Sequence, residues 1–475
     1  MKGLEALGGA LGRDHLWVVG GALRDELLGR PHGDWDLATD LLPEAVLERA
    51  RAGKLKALPT GLQHGTVTVV VEGEAFEITT FRSEAGYTDG RHPDEVRLGV
   101  TLEEDLSRRD FTINALALPL GELGMARARE RIVDPFGGRV DLAAGLIRAV
   151  GDPMARFGED GLRPLRACRF AAQLGFDLEP ATEAAIRPCL PVVAKVAVER
   201  VQVELTKLLS GARATKGLRL LEATGLMDQW LPEVRPMVGC AQNRHHRYDV
   251  WTHTLRALAC EPSGRADLRW ALLLHDLGKP ASASMDAHGE LHHYGHEARS
   301  VTLAGELLKR LKCSHELMHR VEVLIRHHGV HPGEDWGDAA CRRFLRKLRE
   351  DGLALEDWAA FRRADQLAKG WGDAEGQEDG LPGDPFKAQV EADCQRTESR
   401  LRALLDARPA LSVKELALDG RALMALVGRP GGPWLGALQR HLLERVVDHP
   451  ELNNLGKLQV EAKRWLASDA MEIDS

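Results

Sequence analysis

Asp34 and Asp36 stand two residues apart, shortly after the glycine pair Gly20 and Gly21, in the segment VVGGALRDELLGRPHGDWDLATD. If DWDL is a strand, side-chain alternation puts both carboxylates on one face. Two carboxylates so placed can hold two divalent ions, which suits in-line displacement at phosphorus. Magnesium is the expected ion, since its ligands would be oxygens only. The glycines end a strand signal and open a helical pattern, so backbone can approach a phosphate where a helix N-terminus aims its amides. Arg24 follows one turn later. A glycine pair alone is an ordinary turn, and a lone Asp-x-Asp is two surface acids. The conjunction, with Arg24 between, points to phosphate chemistry. Glu77 is the candidate third carboxylate, with a plain solvent-facing strand residue as the alternative.

Cations cluster further along. Arg108 and Arg109 are adjacent, and Arg163, Arg166 and Arg169 recur every three residues. The net charge of −8 weighs mildly against a nucleic-acid partner but does not exclude a local basic stripe. With 44% hydrophobic and 28% charged residues, the chain reads as an ordinary soluble globular protein. No run of eighteen apolar residues predicts a membrane span. The start, MKGLEALGGALGRDHLW, carries charge too early for a signal peptide. Seven cysteines without a CxxC pair favour reduced thiols and a cytoplasmic location.

The positioning elements follow from periodicity. At 475 residues several domains are expected. Residues 1–150 hold the strand signals: LWVVGG, and then HGTVTVVV–EGE–AFEITTF, which reads as a hairpin around a glycine-containing turn. Glu77 falls on its second strand. From about 150 onward apolar residues recur at helical spacing. The organisation expected is a head at 1–150, a helical neck at 151–240, a histidine-rich helical domain at 241–380 and a helical tail at 381–475. The fold class is α+β. GWGDAEGQEDGLPGDPFK (370–387) reads as a linker or surface loop.

Four further segments stand in order: EEDLSRRDFTINALAL (103–118), DPFGGRVDLAAGLIRAV (134–150), GEDGLRPLRACRFAAQLGF (158–176) and ERVQVELTKLLSG (199–211). With the glycine–aspartate segment they resemble the five motifs of class II tRNA nucleotidyltransferases and the related bacterial poly(A) polymerases, over roughly residues 15–240. The resemblance implies a polymerase β-like α/β head. It implies that Arg108, Arg109, Asp110 and Asn114 contact ribose and phosphate, and that DPFGG is a hinge. It also implies that Asp160 and Arg163 select the incoming base, with Arg166 and Arg169 placed for triphosphate.

Physical chemistry supports the selection role. Cytosine and adenine both present an amino donor beside a ring-nitrogen acceptor. A carboxylate can accept from the first while a guanidinium donates to the second. Uracil and guanine present the reverse order and would leave both groups unpaired, at about 1–3 kcal/mol each. One departure stands out. The family commonly has proline after the Glu-Asp pair, whereas here that position is Gly161 and Pro164 follows Arg163. A helix starting near Asp160 would strain Pro164.

TTFRSEAGYTDGRHPDEVRLG (79–99) resembles the flexible loop that such enzymes use to switch from C to A addition, and that CC-only relatives lack. The resemblance thus implies CCA addition to tRNA 3′ ends from CTP and ATP, with A-only addition as the alternative. Poly(A) polymerase is disfavoured by the acidic C-terminal tip, and a non-catalytic RNA-binding scaffold by the intact DWD.

Between 241 and 370 the order H…HD…D resembles an HD phosphohydrolase domain. His253, His275, Asp276 and Asp365 match its metal ligands, and His296, His327 and His328 are candidates for a second shell or second metal. Imidazole with carboxylate suits nickel, cobalt, manganese or zinc. The implied activity is metal-dependent phosphatase or 2′,3′-cyclic phosphodiesterase; degenerate packing is the alternative.

Overall fold

The runs read as strands form strands, and the alternation in TVTVVV is what anchors them. The computed structural model describes residues 2–31, 33–86, 95–243, 247–370 and 384–473. Strands β1 (Leu16–Val19), β2 (Asp36–Thr39), β3 (Lys56–Gly61), β4 (Thr66–Val71) and β5 (Glu74–Thr80) lie in one sheet. β6 (Arg82–Ala85) and β7 (Glu95–Leu98) pair separately as an antiparallel ribbon, and β8 (Ala117–Pro119) closes the sheet edge. The spatial order is β3-β4-β5-β2-β1-β8. Neighbours are antiparallel except β2 and β5, whose parallel register sets Asp36 opposite Glu77. The predicted β4–β5 hairpin is present.

Val67, Val69 and Val71 of β4 point inward and Thr66, Thr68 and Val70 lie outward of them. The inward face packs on Leu4, Leu7 and Leu11 of helix α1 (Lys2–Leu11). Each such burial contributes roughly 1.5–3 kcal/mol. β1 runs straight into α2 (Gly20–Leu27). Gly20 has φ +68°, and a Cβ there would lie 2.9 Å from Arg109 Nη1 and 3.0 Å from Asp36 Oδ2. The tight strand-to-helix turn therefore requires glycine. α3 (Pro43–Ala52) adds Val46 and Ala50 to the core, and α4 (Leu102–Ser107) opens on a capping box between Thr101 and Glu104.

After α5 (Gly138–Ala144) come α6 (Pro153–Glu159), α7 (Arg163–Leu174), α8 (Pro180–Ala184), α9 (Leu190–Val193), α10 (Val198–Leu209), α11 (Ala214–Thr224) and α12 (Leu226–Trp230). α7 packs on α10 and α11. The chain divides into two compact units, Met1–Arg235 with Arg310–Cys313, and Pro236–Lys309 with Ser314–Ser475. The second unit is helical: α13 (Val250–Ala259), α14 (Ala266–Leu274), α15 (Lys279–Ser282), α16 (His296–Arg310), α17 (His315–His327), α18 (Asp338–Glu350), α19 (Leu355–Ala368) and α20 (Asp384–Asp406), then three further helices to Ile473. Trp270, Trp358 and Phe361 are among its largest fully buried side chains. Among the described residues, no helix is long and apolar enough to cross a membrane.

Two local expectations need correction. DWDL is not wholly a strand: β2 begins at Asp36, because its neighbour β1 ends at Val19, which would pair there, and turns into α2. Asp34 thus precedes the strand. Nor does a helix start near Asp160: α6 ends at Glu159 and α7 begins at Arg163, with Pro164 in its first turn, where proline is accommodated. Most of the expected linker at 370–387, and residues 87–94 of the expected switch loop, lie outside the described residues.

Candidate functional site

A cavity of about 710 Å³ opens in the first unit between the sheet and α7. Nine cations line it (Arg24, Arg82, Arg108, Arg109, Arg163, Arg166, Arg169, Arg200 and Lys207) against four carboxylates, Asp36, Glu77, Asp110 and Asp160. That excess suits a polyanion such as a triphosphate. Asp36 and Glu77 are register partners on adjacent strands and both exposed. Asp34 is exposed too, two residues before β2, and does not line the cavity among the described residues. The structure therefore brings Asp36 and Glu77 together more directly than the Asp34–Asp36 pair. Exposed carboxylate oxygens in a wall of cations fit a hard divalent ion that arrives with phosphate.

The Arg-Arg-Asp-Phe segment ties these parts together. Asp110 is buried, and Arg166 donates to its Oδ2 from Nε at 2.8 Å and from Nη2 at 2.6 Å. Asn114 Nδ2 donates to Asp110 Oδ1 at 3.0 Å, and Asn114 Oδ1 accepts from Arg24 Nη1 at 2.7 Å. One continuous chain thus links α2 to α7. Burial opposes ionisation of Asp110, but Arg166, Asn114 and Arg163 hold its carboxyl well below the usual carboxylate range. Arg108 pairs with Asp105 at 2.8 Å and Glu84 at 3.1 Å, and Arg109 lies 3.4 Å from Asp105. Burial lowers the Arg109 pKa, while Asp105 and Asp36 favour its charge.

Asp160 and Arg163 both reach the cavity, each held by another group. Asp160 pairs with Arg200 of α10 at 2.7 Å and accepts from the Leu162 amide at 3.0 Å. Arg163 donates to the Arg156 carbonyl at 2.8 Å and the Arg108 carbonyl at 3.1 Å, and pairs with Glu159. A guanidinium has five N–H groups, so donors remain for a ligand. Gly161 fits only as glycine, since a Cβ would lie 2.7 Å from the Val192 carbonyl oxygen. Arg169 pairs with Glu204 at 2.5 Å and lies over the Phe170 ring at 3.7 Å, which also faces Arg24 at 4.9 Å and Arg166 at 5.5 Å. Burial pushes Arg169 down to about 10.

Arg200, Glu204 and Lys207 received no role from the sequence. Their spacing of four and three on one helix was the available signal, and it reads equally as an ordinary amphipathic face. Phe170 was likewise indistinguishable from a core residue.

The second unit gathers the histidines. His253 of α13, His275 and Asp276 after α14, and Asp365 of α19 converge, with relative exposures of 1%, 0%, 1% and 5%. His253 Nε2 lies 2.9 Å from Asp365 Oδ1, and His275 Nε2 lies 3.1 Å from Asp276 Oδ2 and 3.5 Å from Asp365 Oδ1. His296 and His328 join them, their Nε2 atoms 3.2 Å apart. His327 does not: it turns to Asp351 at 2.7 Å. Lys279 Nζ, missed in the sequence, sits 2.7 Å from Asp276 Oδ2 and 2.6 Å from Gln242 Oε1. Burial opposes the charge on Asp276 and Asp365, yet the adjacent cations hold both carboxyls well below the usual range. His275 Nδ1 donates to the Leu272 carbonyl at 2.9 Å, which turns its Nε2 toward the cluster. This buried imidazole–carboxylate set fits a borderline divalent ion.

Comparison with known proteins bears on both units. The family described as Poly A polymerase head domain matches residues 16–148, and that described as "Probable RNA and SrmB- binding site of polymerase A" matches residues 175–237. The chain is 33% identical over 439 residues to a CCA-adding enzyme of Geobacillus sp. (strain WCH70), spanning 92% of this chain and 90% of the relative. It is 36% identical over 419 residues to that of Geobacillus thermodenitrificans (strain NG80-2), spanning 88% and 85%. It superposes on the Bacillus stearothermophilus CCA-adding enzyme in complex with CTP with a TM-score of 0.67 at 30% identity, covering 99% of this chain and 98% of the other. The Thermotoga maritima CCA-adding enzyme complexed with tRNA shares the fold, with a TM-score of 0.54 at 19% identity, covering 98% and 95%.

Proposed function

The chain belongs to the CCA-adding enzyme family of nucleotidyltransferases, and from that premise we propose that it adds CMP, CMP and AMP to tRNA 3′ ends from CTP and ATP, releasing pyrophosphate, in the cytoplasm. The observation that carries this is the cavity in which Asp36 and Glu77 face a wall of arginines. Asp34 and Asp36, with Glu77 beside them, would hold magnesium, which when bound supplies charge at the attacking and leaving oxygens. The protein's own groups do the rest. Arg24, Arg166 and Arg169, oriented through Asn114, Asp110 and Glu204, bind the triphosphate. Arg108 and Arg109 contact ribose and phosphate, and Gly20 and Gly21 let the backbone approach.

Base choice belongs to Asp160 and Arg163. Arg200 and Glu159 hold both in place until a cytosine or adenine edge is presented. Incubating the protein with CTP, ATP and tRNA lacking its terminal three nucleotides tests the proposal. Full CCA addition is expected. Addition of A alone to tRNA already ending in CC would leave the narrower activity, and no incorporation would sink the reading. Deleting residues 82–96 should stop A addition while C addition continues.

The histidine cluster is read as a metal-dependent phosphohydrolase of the HD type acting on 2′,3′-cyclic phosphates or phosphomonoesters. His253, His275, Asp276 and Asp365 would hold a nickel, cobalt, manganese or zinc ion, which when bound polarises a phosphoester and lowers the pKa of water. Lys279 stands beside Asp276, positioned to receive phosphate charge. Hydrolysis of cyclic and monoester substrates by the protein with each ion in turn tests this; inactivity under all of them would leave the cluster as packing.

A further inference from the structure

We infer that Tyr294, stacked on His292 beside the histidine cluster, is a platform for a nucleobase, and that it fits the cluster to phosphates carried by nucleotides rather than to phosphomonoesters at large. The inference rests on the reading of the cluster as a phosphohydrolase and goes beyond it in substrate class.

A cavity of about 250 Å³ opens in the second unit and shares Lys279 and His296 with the cluster. The consecutive residues His292, His293, Tyr294 and Gly295 form much of its wall. The wall is built from a short hairpin, Ser284–Met285 paired with Leu291–His292. Asp286 in its turn accepts from the His288 amide at 2.8 Å and the Glu290 amide at 2.9 Å through Oδ1. Its Oδ2 lies 3.1 Å from His292 Nε2, which fixes that ring. Tyr294 lies flat on the fixed ring, with centroids 4.8 Å apart and planes 11° apart. Gly295, at φ +72°, then turns the chain into α16.

Tyr294 is 76% exposed, so burial within its own fold does not account for its place. One of its faces is covered by an imidazole that Asp286 holds still, and the ring borders a cavity. A rigid aromatic ring with one open face is the surface on which a base stacks. Stacking reads the π-face that every base has, so the platform recognises nucleotides as a class and distinguishes weakly among bases.

The phosphate end of the cavity is set in register with this platform. Lys279 Nζ lies 2.7 Å from Asp276 Oδ2 and 2.6 Å from Gln242 Oε1, and an ammonium has three N–H groups, so one remains for a ligand oxygen. His293 joins the two ends. Its Nδ1 donates to the Lys279 carbonyl at 2.9 Å, and its own carbonyl accepts from His296 Nδ1 at 2.8 Å. Tyr294 and His296 are two residues apart, so their Cα atoms are separated by at most about 7 Å. That is the scale on which base and phosphate are separated within one nucleotide.

The test labels the platform directly. Full-length protein, with and without added manganese(II), is irradiated with 8-azidoadenosine 3′-monophosphate and the modified peptides are mapped by mass spectrometry. Label on the peptide containing Tyr294 is expected, displaced by adenosine or cytidine 3′-monophosphate and not by glycerol 3-phosphate. Tyr294→Phe should keep that label within about twofold, and Tyr294→Ala should lower it about tenfold, within the range that one base stacked on an aromatic ring supplies. Label on peptides of the transferase cavity serves as the control for folding. An RNA trimer ending in a 3′-phosphate, set against the free nucleotide as competitor, tells whether the platform serves RNA ends or free nucleotides. In hydrolysis by the manganese-loaded protein, Tyr294→Ala should raise KM for adenosine 3′-monophosphate about tenfold and leave glycerol 3-phosphate unchanged. Absence of label from the Tyr294 peptide, equal label in Tyr294→Ala, or equal losses on both substrates overturns the platform and spares the phosphohydrolase reading. Label as expected without hydrolysis of any substrate under any ion upholds the platform as a nucleotide site and sinks that reading.

Discussion

The two clusters of ionisable groups solve opposite problems. Around the cavity, Arg108, Arg166 and Arg200 stay partly exposed and borrow Asp105, Asp110 and Asp160 as counter-ions. In the second unit, His253, His275 and Asp276 are almost wholly buried, and the His275 imidazole is fixed by a hydrogen bond to the Leu272 carbonyl of its own helix. Exchangeable polyanions call for the first design, because a phosphate replaces a surrogate carboxylate at little desolvation cost. A resident ion calls for the second, in which rigid donors are oriented before the ion arrives. The difference teaches that pairing, as well as burial, separates a substrate-handling site from an ion-holding one.

The strongest way to break this comparison is to remove its carboxylates. Asp36→Ala is expected to lower nucleotide incorporation on the order of 10³-fold or more, with Asp34→Ala also abolishing addition, while the metal content of the histidine cluster stays unchanged. Incorporation and bound metal are read on one preparation, and residual addition within tenfold of the unmutated protein sinks the assignment. The reciprocal change, His275→Ala with Asp276→Ala, should cut phosphohydrolysis by roughly 10²-fold or more and leave CTP incorporation within about twofold. Loss of both activities together would show that the two sites are coupled through folding.

The sheet was legible wherever local alternation sets it, as in the β4–β5 hairpin that places Glu77. Asp34 was not, because the length of β2 is decided by where β1 ends, and that is a property of the partner strand. His253, His275, Asp276 and Asp365 do converge as their order suggested, but the choice between His327 and His328 depended on helix rotation that adjacent letters do not carry. Arg200 stayed hidden for a related reason. Its partner Asp160 is 40 residues away, and nothing local in ERVQVELTK distinguishes a counter-ion from a solvated face.

A smaller effect should sharpen the account of base choice. Arg163→Ala would leave the ring nitrogen of cytosine or adenine unpaired, at about 1–3 kcal/mol, or roughly 5–150-fold in the preference for CTP and ATP over UTP and GTP. Incorporation rates for all four nucleotides measure it. Unchanged discrimination means that Arg163 is only a strut between Glu159 and the Arg108 carbonyl.

The smallest expected effect concerns the hub of the cavity. Asp110 is buried, and its folded pKa is depressed because Arg166, Asn114 and Arg163 outweigh the cost of burial. A depressed carboxylate pKa contributes stability that is fully present above the unfolded value of about 3.9 and is lost as pH falls through the folded one. At neutral pH this contribution is on the order of 1–3 kcal/mol. In Asp110→Asn the amide keeps the shape but not the charge, so that pH-dependent part is missing. Melting temperatures of the unmutated protein and the variant should therefore differ most at neutral pH and converge as pH falls below about 4. The histidine cluster titrates identically in both proteins and cancels from the difference. A gap of constant size across the whole range would mean that Asp110 acts through packing alone, and the contrast between a cavity tuned by paired charges and a cluster tuned by burial would lose its central residue.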